Sequence, residues 1–224
     1  FTYSTRAGTA MAYESAEWWR TWPDHVRLTP GSAMTRFAQC GMLFFDDPSG
    51  AARGAVAMLE KVGVPYEWWS LDDLRDRMPH LAVGSWFPPT RVADPAFDAV
   101  PGAELGGALY TPEAGYVTDP QLAAQNLADA AVESGAVLRV RSEVVDVDRA
   151  AGRVTGVRLR DGSHIPADVV VNAAGPHSAA INAMAGVLGD MRVGTKPLRQ
   201  QVAHVVVPPG VDVQAEGHPV TADI

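Results

Sequence analysis

One stretch of this chain carries residue types that could hold a ligand against the main chain: Asp168-Val-Val-Val-Asn-Ala-Ala-Gly-Pro-His-Ser178. Val169, Val170 and Val171 form an apolar, β-branched run too short for a helix, the pattern of a strand buried on both faces of a sheet. Asn172-Ala173-Ala174-Gly175 closes that strand with small residues. Pro176 then opens a helix at its first turn, where a missing N–H costs nothing. A strand running through a small-residue turn into a helix leaves backbone N–H groups at the helix start, which suits a phosphate or a ribose. An ordinary strand-to-helix turn of an α/β protein reads the same way, and the stretch alone leaves both readings open.

Other constellations are missing. His25, His80, His164, His177, His204 and His218 show no metal-ligand spacing. No serine stands in Gly-x-Ser-x-Gly, and no Gly-x-x-x-x-Gly-Lys occurs to cradle a phosphate. Asp72, Asp73 and Asp76 lie close together, but on a helix they read as its solvated face. The sequence therefore names no catalytic residue and no metal ligand. A single cysteine, Cys40, excludes an internal disulfide and fits a reducing compartment, so a cytoplasmic location is expected.

Composition sets further bounds. At 224 residues the chain is long enough for one large domain or two modest ones, and 47% hydrophobic with 20% charged residues supplies a real core. A net charge of -8 offers no basic face to a phosphate backbone, so no nucleic-acid partner is expected. No apolar run is long enough to span a bilayer. Phe1-Thr-Tyr-Ser-Thr-Arg6 is not a signal peptide and no initiator Met precedes it, so the chain reads as a piece of something longer.

The elements that must position the turn follow in order. Ser4 to Trp22 predicts a helix with an apolar stripe that includes Trp18 and Trp19, stopped by Pro23. Gly41 to Phe45 predicts a strand, Ala51 to Val62 a helix ended by Gly63, and Leu71 to Met78 a helix capped by Ser70. The Pro-rich stretch from Ser85 to Gly102, with Trp86, Phe87 and Phe97, predicts a long loop that covers something. Gly107 to Thr111 returns to strand. Thr118-Asp-Pro-Gln121 predicts a capping box for a helix running to Ser134 and burying Leu122, Ala123, Leu127, Ala130 and Ala131. Ala136 to Val140 predicts a strand, and Val144 to Val147 with Val154 to Leu159 a hairpin turning at Arg149 to Gly152. A helix follows Ser178 as far as Gly186, and Gln200 to Val207 predicts a last strand closed by Pro208-Pro-Gly210.

Several of these stretches, taken together, resemble a known family. Gly115-Tyr-Val-Thr-Asp-Pro-Gln-Leu122, Glu133-Ser-Gly-Ala136, Gly156-Val157, Asp161-Gly162 and Ala167-Asp-Val-Val-Val-Asn-Ala-Ala-Gly175 stand in one characteristic order. So do the Trp18–Trp19 helix, the Gly-Met-Leu strand, Ser-Leu-Asp-Asp-Leu74 with Met-Pro-His-Leu81, and Pro197-Leu-Arg-Gln-Gln-Val202. The order is similar to that of the FAD-dependent D-amino-acid-oxidase family, in its sarcosine oxidase, glycine oxidase and dimethylglycine dehydrogenase branch. The likeness extends over essentially the whole chain.

That resemblance implies an α/β fold in which a Rossmann-like FAD-binding domain is interleaved with a substrate domain built on an antiparallel or mixed sheet. Residues 1–40 and 115–188 would belong to the FAD domain, and 41–114 with 189–224 to the substrate domain. It implies FAD as cofactor, with Val144 at the adenine and Ala173, Ala174 and Gly175 at the turn near the adenosine ribose and pyrophosphate. His177 would stand beside the cofactor or at the surface of a helix start, and Arg199 or His204 on a strand bordering the substrate cavity. The family's opening Gly-x-Gly-x-x-Gly, its acidic ribose partner and its C-terminal substrate-facing part have no counterpart here. Phe1 would follow the loop that reaches the flavin ring.

The reaction implied is oxidation of a small amine or (N-methyl) amino acid by hydride transfer to flavin. The sequence leaves two rivals open: an FAD-dependent 2-hydroxy-acid or polyol-phosphate dehydrogenase, and a non-catalytic interaction module. The expected partner is a small-molecule amine substrate, with room for a homo-oligomer or an electron-acceptor partner.

Overall fold

The computed structural model describes residues 1–198 and 218–222. In chain order the elements are α1 (Arg6–Arg20), α2 (Trp22–His25), β1 (Phe37–Ala38), β2 (Met42–Phe45), α3 (Ala51–Val62), β3 (Glu67–Trp69), α4 (Leu71–Arg77) and β4 (Gly84–Ser85). Then come β5 (Ala103–Glu104), β6 (Ala108–Thr111), β7 (Tyr116–Val117), α5 (Pro120–Glu133), β8 (Val144–Ala150), β9 (Arg153–Leu159), β10 (His164–Pro166), α6 (Ser178–Met184) and β11 (Val220–Ala222). The chain is thus of mixed α/β class. The expected strand at Gln200 to Val207, with Arg199, His204 and Pro208-Pro-Gly210, lies outside the described residues.

Of the described residues, 1–136 and 218–222 form one compact unit and 137–198 a second. The first is built on a mixed four-stranded sheet of order β11-β2-β6-β3, antiparallel except that β11 runs parallel to β2. Strand alternation sorts its core. Phe44 and Leu109, opposite each other, face α3 and pack with Ala52, Ala55 and Leu59. Leu43 and Ala108 face the other way, against Trp69, Leu74 and Met78 of the β3–α4 segment. Behind the turn after β2, buried Asp46 accepts a 3.1 Å hydrogen bond from Arg53 Nε, and a side chain at Gly106 would collide with its carboxylate.

Local signals account for most boundaries. Thr5 caps α1 by accepting from Gly8 N at 3.1 Å. Ser70 and Asp73 form a reciprocal capping box on α4, and Gly63 closes α3 at φ 84°. Pro23 does not stop α1, which ends at Arg20. It sits in the first turn of α2, the place where a proline costs no hydrogen bond. The predicted Thr118 cap is also displaced by one residue. Asp119 accepts from Leu122 N at 2.8 Å, while Thr118 Oγ1 accepts from Arg36 N and ties β7 to the β1 segment.

The buried face of α5 differs from the expected one. Leu127 is 55% exposed, and the helix turns inward on Ala123 and Asn126. Asn126 Oδ1 accepts from Trp22 Nε1 at 3.3 Å and Thr35 N at 3.2 Å, and its Nδ2 donates to the Ala33 carbonyl at 2.9 Å. A fully satisfied buried amide outcompetes a leucine for that position because it supplies partners that the neighbouring loop needs.

The second unit is a three-stranded antiparallel meander of order β10-β9-β8, with α6 packed on β8. The β8–β9 hairpin turns through Ala151 and Gly152 at φ 49° and 77°, the left-handed pair that matches strand twist. Two predicted strands do not form. Ala136 to Val140 and Val169 to Val171 carry no strand pairing, and Val169 and Val171 are 76% and 83% exposed. A β-branched run becomes a strand only when a neighbour pairs with its backbone, and among the described residues neither run has one.

Candidate functional site

The turn from Asn172 to Gly175 is held by one side chain, that of Asn172. Asn172 Nδ2 donates to the Ser178 carbonyl at 2.9 Å and to Asn182 Oδ1 at 2.8 Å, while its Oδ1 accepts from Ala174 N at 3.2 Å. An asparagine that bonds its own backbone two residues on is the usual device for tightening such a turn, and the Asn-Ala-Ala-Gly order was the available clue. Ala173, Ala174 and Gly175 are all exposed on the resulting loop. Gly175 sits at φ 53°, and a Cβ placed on it would meet no atom within 4 Å.

The donors at this turn are largely committed. His177 N donates to the Ala174 carbonyl and Ala179 N to Thr195 Oγ1, both at 3.0 Å. A bare row of helix-start amides, as the sequence led one to expect, is therefore not what the turn presents. It presents small side chains and open space. His177 is exposed, and α6 is only seven residues long.

Val144 opens β8 in the same unit, half-buried and opposite Leu159. Its place is fixed from both sides: Arg160 N donates to the Glu143 carbonyl at 2.9 Å, and the Arg160 guanidinium pairs with the Glu143 carboxylate. The hydrogen bond from that guanidinium holds the Glu143 carboxyl below the usual carboxylate range. The α6 helix, which the turn feeds, packs on β8 and ends at Met184, and two residues on, at Gly186, the Arg149 guanidinium occupies the space a side chain would need.

The first unit holds a cleft of about 360 Å³ whose walls include Phe1, Tyr3, Trp19, Gly115 and Tyr116. Gly115, one of the residues behind the resemblance, is glycine because the Ala38 carbonyl fills the place of a Cβ. Near the cleft Tyr13 packs edge-on against Phe1, with ring centroids 5.4 Å apart. Burial, and then the carboxylate of Glu113, raises the Tyr13 phenol above its ordinary range. Such a cleft, apolar with aromatic walls, suits a flat or apolar group.

The family model of FAD dependent oxidoreductases matches residues 2–223. The chain belongs to that family. Its fold is similar to that of L-proline dehydrogenase from P. horikoshii, with a TM-score of 0.61 and 24% identity over 84% of this chain and 43% of the other. It is also similar to glycine oxidase from Geobacillus kaustophilus, with a TM-score of 0.57 and 24% identity over 78% of this chain and 42% of that one. For iminodiacetate oxidase from Chelativorans sp. BNC1 the TM-score is 0.55 and the identity 20%, over 93% and 49% of the two chains. The chain thus spans less than half the length of each of these structures, and at such identities the likeness is one of fold.

FAD is the family's cofactor. The turn of this chain fits it in one respect that the structure itself shows: exposed small residues with unfilled space beside Gly175 let a group lie along the main chain. Among the described residues no group of three or more His, Cys, Asp or Glu could hold a metal ion, and no helix is long and apolar enough to cross a membrane.

Proposed function

We propose that the protein oxidises a small amine or (N-methyl) amino acid, using FAD bound in part by Val144, Ala173, Ala174 and Gly175. The observation that carries this reading is the family match over residues 2–223. Two further facts support it. The solved structures of like fold cited above are named for proline, glycine and iminodiacetate, each an amine that bears a carboxylate. The net charge of -8 favours a zwitterionic or cationic amine over a polyphosphate.

Bound FAD supplies the acceptor for a hydride from the carbon beside the amine nitrogen, leaving an imine that water hydrolyses. The chain's own part is positional. In this reading the Asn172-pinned turn and Val144 hold the adenosine end. The interleaved division, with residues 1–40 and 115–188 on the cofactor side and 41–114 with 189–224 on the substrate side, belongs to the same proposal. So does a cytoplasmic setting for Cys40, which is buried.

The test is an anaerobic half-reaction. The full-length protein, mixed with sarcosine, proline or glycine, should lose its visible flavin absorbance, and with lactate or glycerol 3-phosphate it should keep it. Bleaching by the hydroxy compounds alone would overturn the amine assignment.

A further inference from the structure

The helix α6, which follows the Asn172 turn, has little of its own to hold it in place. It is seven residues long, and none of the seven is buried. A helix of about two turns is marginal by itself, so its pose depends on its end and on its polar contacts. Two such contacts tie its body down. Ala179 N donates to Thr195 Oγ1 at 3.0 Å, and Asn182 Oδ1 accepts from Asn172 Nδ2 at 2.8 Å.

The far end closes through Gly186, which sits at φ 65°. Gly186 N donates to the Ala183 carbonyl at 2.9 Å, and Val187 N donates to the Asn182 carbonyl at 3.1 Å. These two bonds make a Schellman cap, whose left-handed position favours glycine. Asn182 thus works twice: its carbonyl closes the helix, and its side chain holds the Asn172 amide that shapes the turn.

Against this cap lies Arg149. Its two terminal nitrogens come within 2.5 Å, and the carbon between them within 2.7 Å, of the place that a Cβ on Gly186 would take. The pairing of β8 with β9 shifts register between Asp148 and Arg149, an irregularity of the kind that re-aims a side chain. Among the described residues no carboxylate pairs with the guanidinium. Its charge is left beside the carbonyl end of α6, where unspent carbonyls and the helix dipole favour a cation.

We propose that Arg149 is a positioning residue for the cofactor turn. It steadies the Schellman cap, the cap sets Asn182, and Asn182 holds the Asn172 that shapes Ala173-Ala174-Gly175. The inference rests on the reading that this turn receives the adenosine end of FAD. In it Arg149 acts through α6 rather than on the cofactor.

Titrating the full-length apoprotein with FAD tests this. Arg149→Ala should weaken FAD binding about threefold to tenfold, the scale of a cation at a helix C-terminus. Arg149→Lys, which keeps the charge, should recover most of that loss, whereas Arg149→Met, which only fills space, should not. Hydrogen exchange at the Gly186 and Val187 amides should quicken in Arg149→Ala. FAD affinity within about twofold of the parent in Arg149→Ala would overturn the inference. So would an equal loss in the lysine and methionine variants, or unchanged exchange at those two amides. Gly175→Val shows how far such a failure reaches: if it loses flavin, only the role of Arg149 falls, and if it keeps flavin, the reading of the turn falls too.

Discussion

Asn182 Oδ1 accepts a 2.8 Å hydrogen bond from Asn172 Nδ2, and this one contact ties the start of the small-residue turn to the middle of the helix that follows it. Because the same amide also reaches the Ser178 carbonyl, Asn172→Ala removes two donors at once. The cost to folding should be about 1–3 kcal/mol. The larger effect should be functional: in the full-length flavoprotein the variant should purify with reduced flavin occupancy and an unchanged far-ultraviolet dichroism spectrum. Stoichiometric flavin in that variant would show that the shape of the turn does not govern cofactor binding.

Gly175 separates backbone strain from cofactor contact. At φ 53°, with nothing within 4 Å of a Cβ, an alanine there meets only the left-handed penalty of about 1–2 kcal/mol. A valine meets more, because β-branched residues tolerate positive φ least. If FAD lies along the turn, Gly175→Ala should lose flavin beyond what that strain explains, and Gly175→Val should lose nearly all of it. The check is flavin absorbance per protein at equal melting temperature. Equal occupancy in parent and alanine variant would leave the glycine a purely conformational role.

How far these residues were legible follows from what each signal depends on. Ser70 with Asp73, Gly63 and the Ala151–Gly152 turn are local events, complete within a few residues, and all stand where their types predicted. Pro23 and Thr118 carried the right chemistry but sit one step from the assigned role, since a neighbouring residue served better. Val169 to Val171 and Ala136 to Val140 read as strands by composition, yet a strand is a relation between two backbones, and among the described residues neither run has a partner. Leu127 and Asn126 exchanged the expected faces of α5 because a distant tryptophan and loop needed an amide. The site shows the same division: the small residues at 173–175 could be read from sequence, while the Asn172 pin and the Phe1 cleft are products of folding.

The α4 capping box gives a pH dependence with a definite sign. Asp73 is held below its ordinary range first by the hydrogen bond from the Ser70 hydroxyl and then by the Ser70 amide. A carboxyl whose folded pKa is depressed contributes its stability in full above the unfolded value and loses it as the pH falls through the folded one. The capping contribution is therefore intact at neutral pH and disappears only on acidification below the usual aspartate range. In Ser70→Ala the Asp73 titration should move back up toward that range, as followed by carboxyl carbon chemical shifts. An unmoved titration would assign the depression to something other than the cap.

The loop between β4 and β5 bears on substrate. Its ends are pinned together by the antiparallel pairing of Gly84 with Glu104 and Ser85 with Ala103, the arrangement of a compact surface loop. Its aromatics stay in reach of solvent, with Trp86 54% and Phe97 42% exposed, and Val92 and Val100 are more exposed still. Side chains so little buried contribute little to folding, so replacing Trp86 and Phe97 by alanine should change stability by only about 0.5 kcal/mol. An apolar loop kept at the surface at that small gain is better explained by what it touches in use. On the proposed amine-oxidising function, the double variant of the full-length protein should therefore raise KM for the amine, or relax the preference among amines, with flavin content unchanged. Flavin content and amine kinetics identical to the parent would make the loop a structural closure alone, and a drop in melting temperature of several degrees would place its aromatics in the core instead.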